Sequence, residues 1–334
     1  MPNRVTMADV AREAGVSLMT VSRVVNEKGE VSLATRQRIL EVIEQLGYRP
    51  SAIARGLATQ RTGSLGLVMP DVANPFFSDV AHGAEHVAYA EGYNIFLCNT
   101  DEDPQRELSV LQSLEEKQVD GVVLCSSRLD DSELEAALAH HPAAVLVNRR
   151  LEGGGVVGSV LIDDEAGGRL ATQHLLQAGH RAVGFLAGPL ASRSSRQRDK
   201  GYRAALTAAA LPHNPDWTRH CSPVVQSGRE TARHLLTAYP ELTAFFCYND
   251  LVAVGALQAC ADLGRQVPDD LAIVGFDDIL LAALVIPPLT TCRVHRYELG
   301  AQAMRLLLDQ IGGSSGECTE IVLQPELIVR ASAP

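Results

Sequence analysis

Two series of short apolar runs, each alternating with helical stretches, constrain the fold of this chain more than any other feature. The first series contains SLGLVMPD, NIFLCNT, GVVLCSS and AAVLVNR, and the second contains SVLIDD, AVGFLAG, TAFFCYN and LAIVGFDD. Strands that alternate with helices form parallel sheets, because the crossover between two parallel strands is usually a helix. We therefore expect an α/β fold with two doubly wound parallel-sheet subdomains facing a cleft.

The length and composition of the chain predict a multidomain protein. Its 334 residues, 46% of them hydrophobic, exceed what one core usually holds. The cysteines are scattered and never spaced as CxxC, which favours neither a disulfide framework nor a zinc site. No apolar run approaches the roughly 18 residues of a membrane helix, and the start MPNRVT has no signal-peptide core. We expect a cytoplasmic protein that binds no metal and makes no membrane contact.

The first fifty residues have the pattern of three short helices. Thr6 followed by Asp9 is a helix-capping pair, and Gly15 ends the helix that this pair opens. Ser17 caps a second helix, and Ser32 caps a third. Two helices joined by a short glycine turn are typical of a helix-turn-helix, whose second helix enters the major groove of DNA.

The second helix carries a seam of valines and, roughly 135° away, a face of longer and polar side chains. That outer face consists of Leu18, Met19, Ser22 and Arg23. A guanidinium there can donate two hydrogen bonds to one guanine, while hydroxyl and amide groups nearby suit phosphates. With the face itself, the candidate DNA contacts of this unit are Thr6, Ser17, Leu18, Met19, Thr20, Ser22, Arg23, Asn26, Ser32 and Thr35. A three-helix bundle that only packs against the rest of the chain is the alternative.

The following segment, YRPSAIARGLATQRTGS, has a short helical pattern from Ala52 to Ala58. A helix of this length is marginal alone, so it needs a partner to fold. Its large apolar residue Leu57 is suited to insertion into a minor groove, where it would kink the duplex. Arg55 is a further candidate DNA contact.

The stretches MADVAREAGVSLMTVSRVVN and LGYRPSAIARGL resemble the headpiece and hinge helix of the lactose-repressor (LacI/GalR) family of bacterial transcription regulators. The resemblance extends along essentially the whole chain. It implies that Leu18, Met19 and Arg23 read bases, and that Leu57 pairs with its dimer mate between the central base pairs. For the body it implies the fold of periplasmic sugar-binding proteins. Glu30 departs from the pattern, because its carboxylate would repel a phosphate that some relatives contact at that position.

The implied organisation has four parts. We expect a helix-turn-helix headpiece at 1–49, a hinge helix and linker at 50–63, an N-subdomain at 64–162 and 294–320, and a C-subdomain at 163–293 and 321–334. Charge follows this division, since residues 1–62 hold nine Lys and Arg against six Asp and Glu, whereas residues 63–334 hold 20 against 34. An acidic body keeps nonspecific DNA binding weak, while a dimer doubles the basic surface.

Ligands of doubly wound sheets bind at the carboxyl ends of the strands, so the polar and aromatic residues there are candidates. They are Asn74, Phe76, Phe77, Asn148, Arg149, Asp163, Ser194, Arg198, Phe246, Asn249 and Asp277. The mixture of carboxylate, guanidinium, amide and aromatic groups suits a polyhydroxylated ring, such as a sugar or sugar acid. The resemblance gives effector-binding positions to Arg198, Phe246, Asn249 and Asp277.

Six of these candidates have a purely structural alternative. Arg198 and Asp277 can form a buried ion pair between subdomains. The alternative for the remaining small polar residues is strand-end capping, and it applies to Asn74, Asn148, Asp163 and Ser194.

Three enzyme-like patterns lack the context that their chemistry requires. GGGVVG satisfies GxGxxG but precedes a β-like run rather than a helix. His82 and His86 have zinc-motif spacing, but Gly83 stands where the catalytic glutamate belongs. Adjacent aspartates such as Asp277 and Asp278 point to opposite sides of a strand end, unlike a glycosidase pair. We predict no enzyme, no catalytic residues and no cofactor.

The sequence thus predicts a sequence-specific DNA-binding transcriptional repressor. It would bind a palindromic operator as a homodimer, and a small carbohydrate-like effector in the cleft would control it. Such a protein would be associated with the nucleoid. A sugar-binding or sugar-metabolising protein with the headpiece as a mere appendage remains the alternative. Whether the ligand induces or corepresses, and whether the oligomer is a dimer or tetramer, stays open.

Overall fold

The computed structural model describes residues 5–26, 29–49, 61–151, 157–313 and 319–334. Residues 1–62 and residues 63–334 form two compact units. The hinge candidates Arg55 and Leu57 lie outside the described residues, so their roles stay predictions. Among the described helices, none is long and apolar enough to span a bilayer.

The first unit contains the expected three helices, α1 (Met7–Ala14), α2 (Leu18–Val25) and α3 (Leu33–Leu46). The Thr6 hydroxyl accepts a hydrogen bond from the Asp9 backbone N–H, and the Asp9 carboxylate accepts one from the Thr6 N–H at 2.9 Å, which completes a capping box. Gly15 ends α1 in the left-handed region, with φ of 62°. The helices enclose a core formed by Val10, Ala11, Ala14, Val21, Val24, Ile39, Val42 and Tyr48.

The first sheet of the second unit is wholly parallel, as the alternating pattern predicts. Its strands are β1 (Ser64–Met69), β2 (Asn94–Asn99), β3 (Gly121–Cys125), β4 (Ala144–Val147), β5 (Gly158–Ile162) and β11 (Glu320–Leu323). They lie in the order β11-β5-β4-β3-β1-β2. The helices of this subdomain are α4 (Pro75–Ala90), α5 (Pro104–Glu116), α6 (Asp131–Leu138) and α12 (Arg296–Ile311).

The second sheet repeats the arrangement with one antiparallel edge strand. Its strands are β6 (Val183–Ala187), β7 (Thr218–His220), β8 (Ala244–Cys247), β9 (Ala272–Asp277), β10 (Thr290–Arg293) and β12 (Glu326–Ile328). Their order is β12-β10-β9-β8-β6-β7, and β12 runs antiparallel to β10. The accompanying helices are α7 (Asp164–Gln177), α8 (Arg193–Ala208), a 3₁₀ turn (Pro215–Trp217), α9 (Val225–Ala238), α10 (Asp250–Asp262) and α11 (Leu280–Leu284). The α/β class and the two doubly wound subdomains are confirmed.

The chain passes between the two sheets three times, after β5, after β10 and after β11. The third passage comes later than the expected return at residue 320. Strand β11 pairs with β5 from Glu320 to Leu323, and its residues Ile321 and Leu323 pack against the apolar core. The packing of these two side chains holds the segment in the first sheet, so the passage follows Leu323.

Paired glycines bring helices into unusually close contact. A Cβ atom placed on Gly83 of α4 would lie 1.9 Å from the backbone oxygen of Tyr297, and one on Gly300 of α12 would lie 1.9 Å from that of Val80. Gly168 and Gly201 play the same reciprocal part between α7 and α8. Because only a hydrogen atom fits at these points, the helix backbones pack directly against each other and cannot slide.

Replacing one of these glycines tests the close contact. Gly300→Ala should lower the free energy of unfolding by about 3 kcal/mol or more, because the added methyl overlaps a backbone oxygen that no rotamer change can move. The matched control is Gly312→Ala at the end of α12, where φ is −72° and any residue is accepted. This control should stay within about 1 kcal/mol of the parent. Urea unfolding followed by circular dichroism makes the comparison, and equal losses would contradict the packing argument.

Candidate functional site

Helix α2 turns its large non-valine side chains toward solvent. Leu18 is 53% exposed and Met19 is 65% exposed, although both are apolar. Arg23 lies one turn after Met19, with its Nη2 atom 3.8 Å from the methionine sulfur. Val21 and Val24 on the opposite side are buried in the helical core. The surface of α2 is therefore apolar at its start and cationic one turn later.

The hydroxyl candidates of the first unit lie at helix starts, except for Ser22 in the middle of α2. The hydroxyls of Ser17 and Thr20 are 2.8 Å apart, and Ser17 also accepts from the Thr20 N–H at 3.1 Å. Ser32 and Thr35 repeat this arrangement at α3. Helix starts attract anions, because unpaired backbone N–H groups point outward there. Asn26 differs, since its amide donates to the backbone oxygen of Ser22 at 2.9 Å and closes the end of α2.

In the second unit, the carboxyl ends of both sheets meet at one cavity. Its lining takes seven residues from the first subdomain, namely Asn74, Phe76, Phe77, Glu102, Ser126, Arg128 and Asn148. Six more come from the second subdomain, namely Ser194, Arg198, Pro223, Tyr248, Asn249 and Asp277. The cavity measures about 20 Å³, which is room for about one water molecule. The enclosed part of the cavity is thus smaller than a sugar ring in this arrangement.

Eight of the eleven residues expected at the strand ends line this cavity, and Phe246, Asp163 and Arg149 do not. The Phe246 ring stacks on Phe185 in the core, with centroids 4.8 Å apart. Asp163 caps α7 by accepting the Ala166 N–H at 2.9 Å.

Arg149 is the third predicted residue outside the cavity. Its guanidinium donates to the Leu129 carbonyl at 3.2 Å and to the Asp131 carboxylate at 2.5 Å. These contacts tie the end of β4 to the start of α6. Arg149 therefore holds the segment after β4 that carries the lining residue Asn148.

Five lining residues were missed by the sequence analysis. They are Glu102, Ser126, Arg128, Pro223 and Tyr248. Ser126 follows β3 directly, and Glu102 lies three residues after the end of β2, so the strand-end rule applied to them and would have found them. Tyr248 follows β8 two residues after Phe246 and carries the aromatic ring that Phe246 was expected to supply.

Arg198 is the most constrained side chain of the cavity. Its Nε donates to Asp164 Oδ1 at 2.9 Å, and its Nη1 donates to the Tyr248 carbonyl. The Nη2 atom lies 3.8 Å from Asp277 Oδ1, and the guanidinium stacks 3.5 Å above the Phe276 ring. These contacts hold a buried cation in one orientation without using every N–H group.

The Asp277 carboxyl lies in an environment that disfavours its charge. Burial raises its pKa to about 7, although the cations Arg198 and Arg296 act in the opposite direction. Asp164, which already pairs with Arg198, raises the pKa further by repulsion. Asp277 therefore changes charge close to neutral pH.

Arg128 occupies the first-subdomain side of the cavity as part of a fixed pair. Its Nε and Nη2 atoms donate to the two Glu102 oxygens at 2.5 and 3.0 Å, and Nη1 donates to the Ser126 carbonyl at 2.6 Å. Glu107 accepts the Arg128 backbone N–H at 3.0 Å and holds the loop. Three of the five guanidinium N–H groups are thereby used, which leaves two for a ligand.

Several lining residues have backbone conformations that are unfavourable for side chains other than glycine. Glu102, Ser126, Asn148 and Asp277 have φ values of 60°, 50°, 54° and 108°. Such conformations persist only when surrounding contacts enforce them, and they cluster at functional sites. The buried Asn148 Oδ1 atom has no hydrogen-bond partner among the described residues, which is costly unless something else supplies one.

Comparison with known proteins covers both units. Residues 6–51 match the model described as "Bacterial regulatory proteins, lacI family", and residues 62–328 match "Periplasmic binding proteins and sugar binding domain of LacI family". The transcriptional repressor PurR of Haemophilus influenzae (strain PittEE) is 37% identical, with 98% of each chain covered. Catabolite control protein A of Priestia megaterium is also 37% identical, covering 98% of this chain and 99% of that one.

Solved structures give the same assignment. The lac repressor dimer bound to operator and the anti-inducer ONPF matches with a TM-score of 0.89 at 28% identity, covering 99% of both chains. The transcriptional regulator CelR in complex with cellobiose matches with a TM-score of 0.75 at 33% identity, covering 98% of this chain and all of that one. This chain belongs to the LacI family of bacterial regulatory proteins, which are DNA-binding transcriptional repressors that respond to small-molecule effectors and are not enzymes.

Proposed function

We propose that this protein is a homodimeric repressor that reads a palindromic operator through α2. Its affinity for the operator falls or rises when a polyhydroxylated ligand enters the cleft. The observation that carries the effector part is the composition of the cavity, whose lining comes from both subdomains. A ligand that touches both sides binds one subdomain arrangement better than another. It thereby shifts the balance between them.

The exposed face of α2 supports operator reading. Leu18 and Met19 have no strong hydrogen-bonding groups, so they suit apolar contact with thymine methyl groups. Arg23 suits the paired acceptors of guanine. Thr6, Ser17, Thr20, Ser22, Asn26, Ser32 and Thr35 would contact phosphates. The capping bonds of Thr6, Ser17 and Ser32 are compatible with that role, because they order the helix starts.

Two exposed apolar surfaces of the second unit support pairing with a second copy of this chain. Edge strand β2 exposes Phe96 and Leu97. The segment around α11 exposes Leu280, Leu284 and Ile286, the last of them by 93%. Exposed apolar groups in this density are typical of protein interfaces, and an uncovered edge strand invites pairing. The lac repressor, which is similar to this chain, was solved as a dimer bound to its operator.

The polar groups of the cavity support a sugar or sugar-acid effector. The remaining N–H groups of Arg128 and Arg198 offer donors, while Asp277 and the unpaired Asn148 oxygen offer acceptors. Phe76 and Phe77 add apolar faces with rings 5.0 Å apart and nearly perpendicular. A ring carrying several hydroxyls satisfies donors and acceptors at once, and analogues that leave these groups unpaired are rejected. Such a regulator acts in the cytoplasm, in association with the nucleoid.

Operator reading is tested with the upstream region of the protein's own gene in a gel-shift assay. The parent protein should form a specific complex that weakens as salt rises. Arg23→Ala should cost about 1 to 3 kcal/mol of binding free energy and relax the preference at one guanine in each half-site. Arg38→Ala removes the same charge from the exposed surface of α3 and should weaken binding to all sequences equally. Failure of the parent to form any salt-sensitive specific complex would overturn the proposal.

The effector site is tested by thermal shift with neutral sugars and sugar acids, since a ligand of the folded state raises its melting temperature. Asn148→Gly should weaken the affinity for the ligand, as read from the shift in melting temperature, about tenfold or more. Folding stability should stay within about 1 kcal/mol, because the lost oxygen has no hydrogen-bond partner among the residues that the structure describes and φ of 54° suits glycine. Asn249→Ala should reduce both the ligand affinity and the folding stability, since Asn249 accepts the Val252 N–H at 2.9 Å and caps α10. An unchanged response in Asn148→Gly would move the site elsewhere.

The raised pKa of Asp277 predicts how stability depends on pH. The folded protein retains a proton on this carboxyl up to about pH 7, whereas the unfolded chain loses it near its ordinary value of 3.8. Stability is therefore lost as pH rises between these values, and Asp277→Asn should escape that loss. Relative to the parent, the variant should gain up to about 1.4 kcal/mol for each pH unit from 5 to 7.

The measurement is urea unfolding at pH 5, 6, 7 and 8, followed by the fluorescence of Trp217, the only tryptophan of the chain. Trp217 lies in the second subdomain, as does Asp277. Asp269→Asn replaces an exposed carboxylate of the same subdomain and serves as control. If the free energy of unfolding depended on pH in the same way in the parent and both variants, the raised pKa of Asp277 would be contradicted.

A further inference from the structure

One arginine joins the two subdomains and contacts Asp277, a residue of the cavity lining. Arg296 begins α12, and its Nε donates to Asp79 Oδ2 at 2.9 Å on α4 of the first subdomain. Its Nη1 donates to the backbone carbonyl of Asp277, at the end of β9 in the second subdomain. Arg296 is absent from the lining of the ligand cavity and lies in a separate outer cavity beside Asp79 and Asp278. Its contacts are therefore with the protein at the back of the site.

The first-subdomain end of this connection is rigid. Helices α4 and α12 are in direct backbone contact through Gly83 and Gly300, so Arg296 and Asp79 move as one body. Asn74 caps the start of the same helix α4, and its side chain accepts the Phe76 N–H at 3.0 Å and lines the cavity. A ligand that displaces α4 therefore displaces Asp79 by the same amount.

The second-subdomain end is a strained segment that needs outside support. Asp277 and Asp278 have consecutive positive φ values of 108° and 54°. The Asp278 carboxylate accepts from Arg293 at 2.8 Å and from Arg330 at 2.6 Å, and both contacts lie at the β9, β10 and β12 side of the structure. Only Arg296 holds Asp277 from the other subdomain among the hydrogen bonds of the described residues. A strained conformation relaxes when one of its supports is withdrawn.

We propose that Arg296 is a positioning residue that sets the orientation of the Asp277 carboxylate according to the angle between the subdomains. The connection from Asp79 through Arg296 to Asp277 links the ligand site to subdomain movement. This inference rests on the proposed effector role of Asp277. It adds a residue that touches no ligand and yet governs ligand affinity.

The ion pair is poorly suited to a purely structural role. The Asp79 side chain is 49% exposed, and the exposure of one partner to water and salt keeps the contribution of such a pair to stability small. Its orientation effect does not depend on that strength, because Asp79 fixes where the guanidinium points. Loss of Asp79 should therefore disturb Asp277 more than it lowers overall stability.

Hydrogen–deuterium exchange of the full chain, without any sugar, tests the connection. The reporters are the amides of Asp278 and Ile279, which are bonded to the Thr291 hydroxyl at 3.4 Å and to Asp250 at 2.8 Å. Asp79→Asn should accelerate their exchange at least threefold, although residue 79 belongs to the other subdomain. Arg296→Gln should do the same, and the double variant should match Arg296→Gln alone.

A control variant distinguishes a specific effect of Arg296 on Asp277 from a general loss of structure in this segment. Arg293→Gln is the control, because it removes a neighbouring arginine that contacts Asp278 within its own side of the structure. The effect of Arg293→Gln should add to that of Asp79→Asn. Unchanged exchange in Asp79→Asn would overturn the proposal, as would effects of Asp79→Asn and Arg296→Gln that simply add.

A second arm uses any sugar of the panel that raises the parent's melting temperature. Asp79→Asn should weaken the affinity for that sugar threefold to tenfold, and Arg296→Lys should retain more affinity than Arg296→Gln. Equal affinity in the parent and Asp79→Asn would refute the governing role of Arg296. If no sugar binds the parent, the proposed effector class fails, while the exchange experiment still decides whether Arg296 holds Asp277.

Discussion

The buried guanidinium of Arg198 is the interaction on which the organisation of the cleft depends. A cation without solvent must be matched by fixed partners, and leaving one partner unpaired is strongly unfavourable. Here the partners come from the start of α7, from the end of β8 and from the end of β9, so one side chain fixes three strand and helix ends. The glycine contact between α7 and α8 makes this possible, because it brings the Arg198 backbone within reach of Asp164. The stability of the second subdomain and the shape of the ligand site therefore have a common origin.

The alternation of strands and helices was sufficient to predict the two subdomains and most of the site. Asn74, Asn148 and Asn249 were found because a parallel sheet gathers the residues that follow its strands at one edge. The caps Thr6, Ser17 and Ser32 were found because a hydroxyl before an apolar helical pattern has a local physical meaning. Both kinds of inference depend on the geometry of residues that are close together along the chain, and this geometry can be inferred from the sequence.

The failures arise where the outcome depends on packing between distant segments. All four residues of β8 are buried, so no alternation of polar and apolar residues indicates that Phe246 faces the core while Tyr248 lines the cavity. Arg128 enters the site because Ser126 adopts a positive φ and Glu107, twenty-one residues earlier, holds the loop. The late return after Leu323 is equally hidden, since four residues of β11 are too few to show which sheet they join.

On the proposed function, the ligand acts through the angle between the two subdomains. A ligand that bonds residues of both subdomains gains most when the two are at one particular angle, and it can shift the population only by its difference in affinity between angles. The cavity of about 20 Å³ is smaller than a sugar ring, so on the proposed function ligand binding is coupled to a change in this arrangement. Within one chain, residues 50–63 are the only covalent route from the cleft to α2. On the proposed function, the ligand's difference in affinity between subdomain angles sets how strongly one angle is favoured.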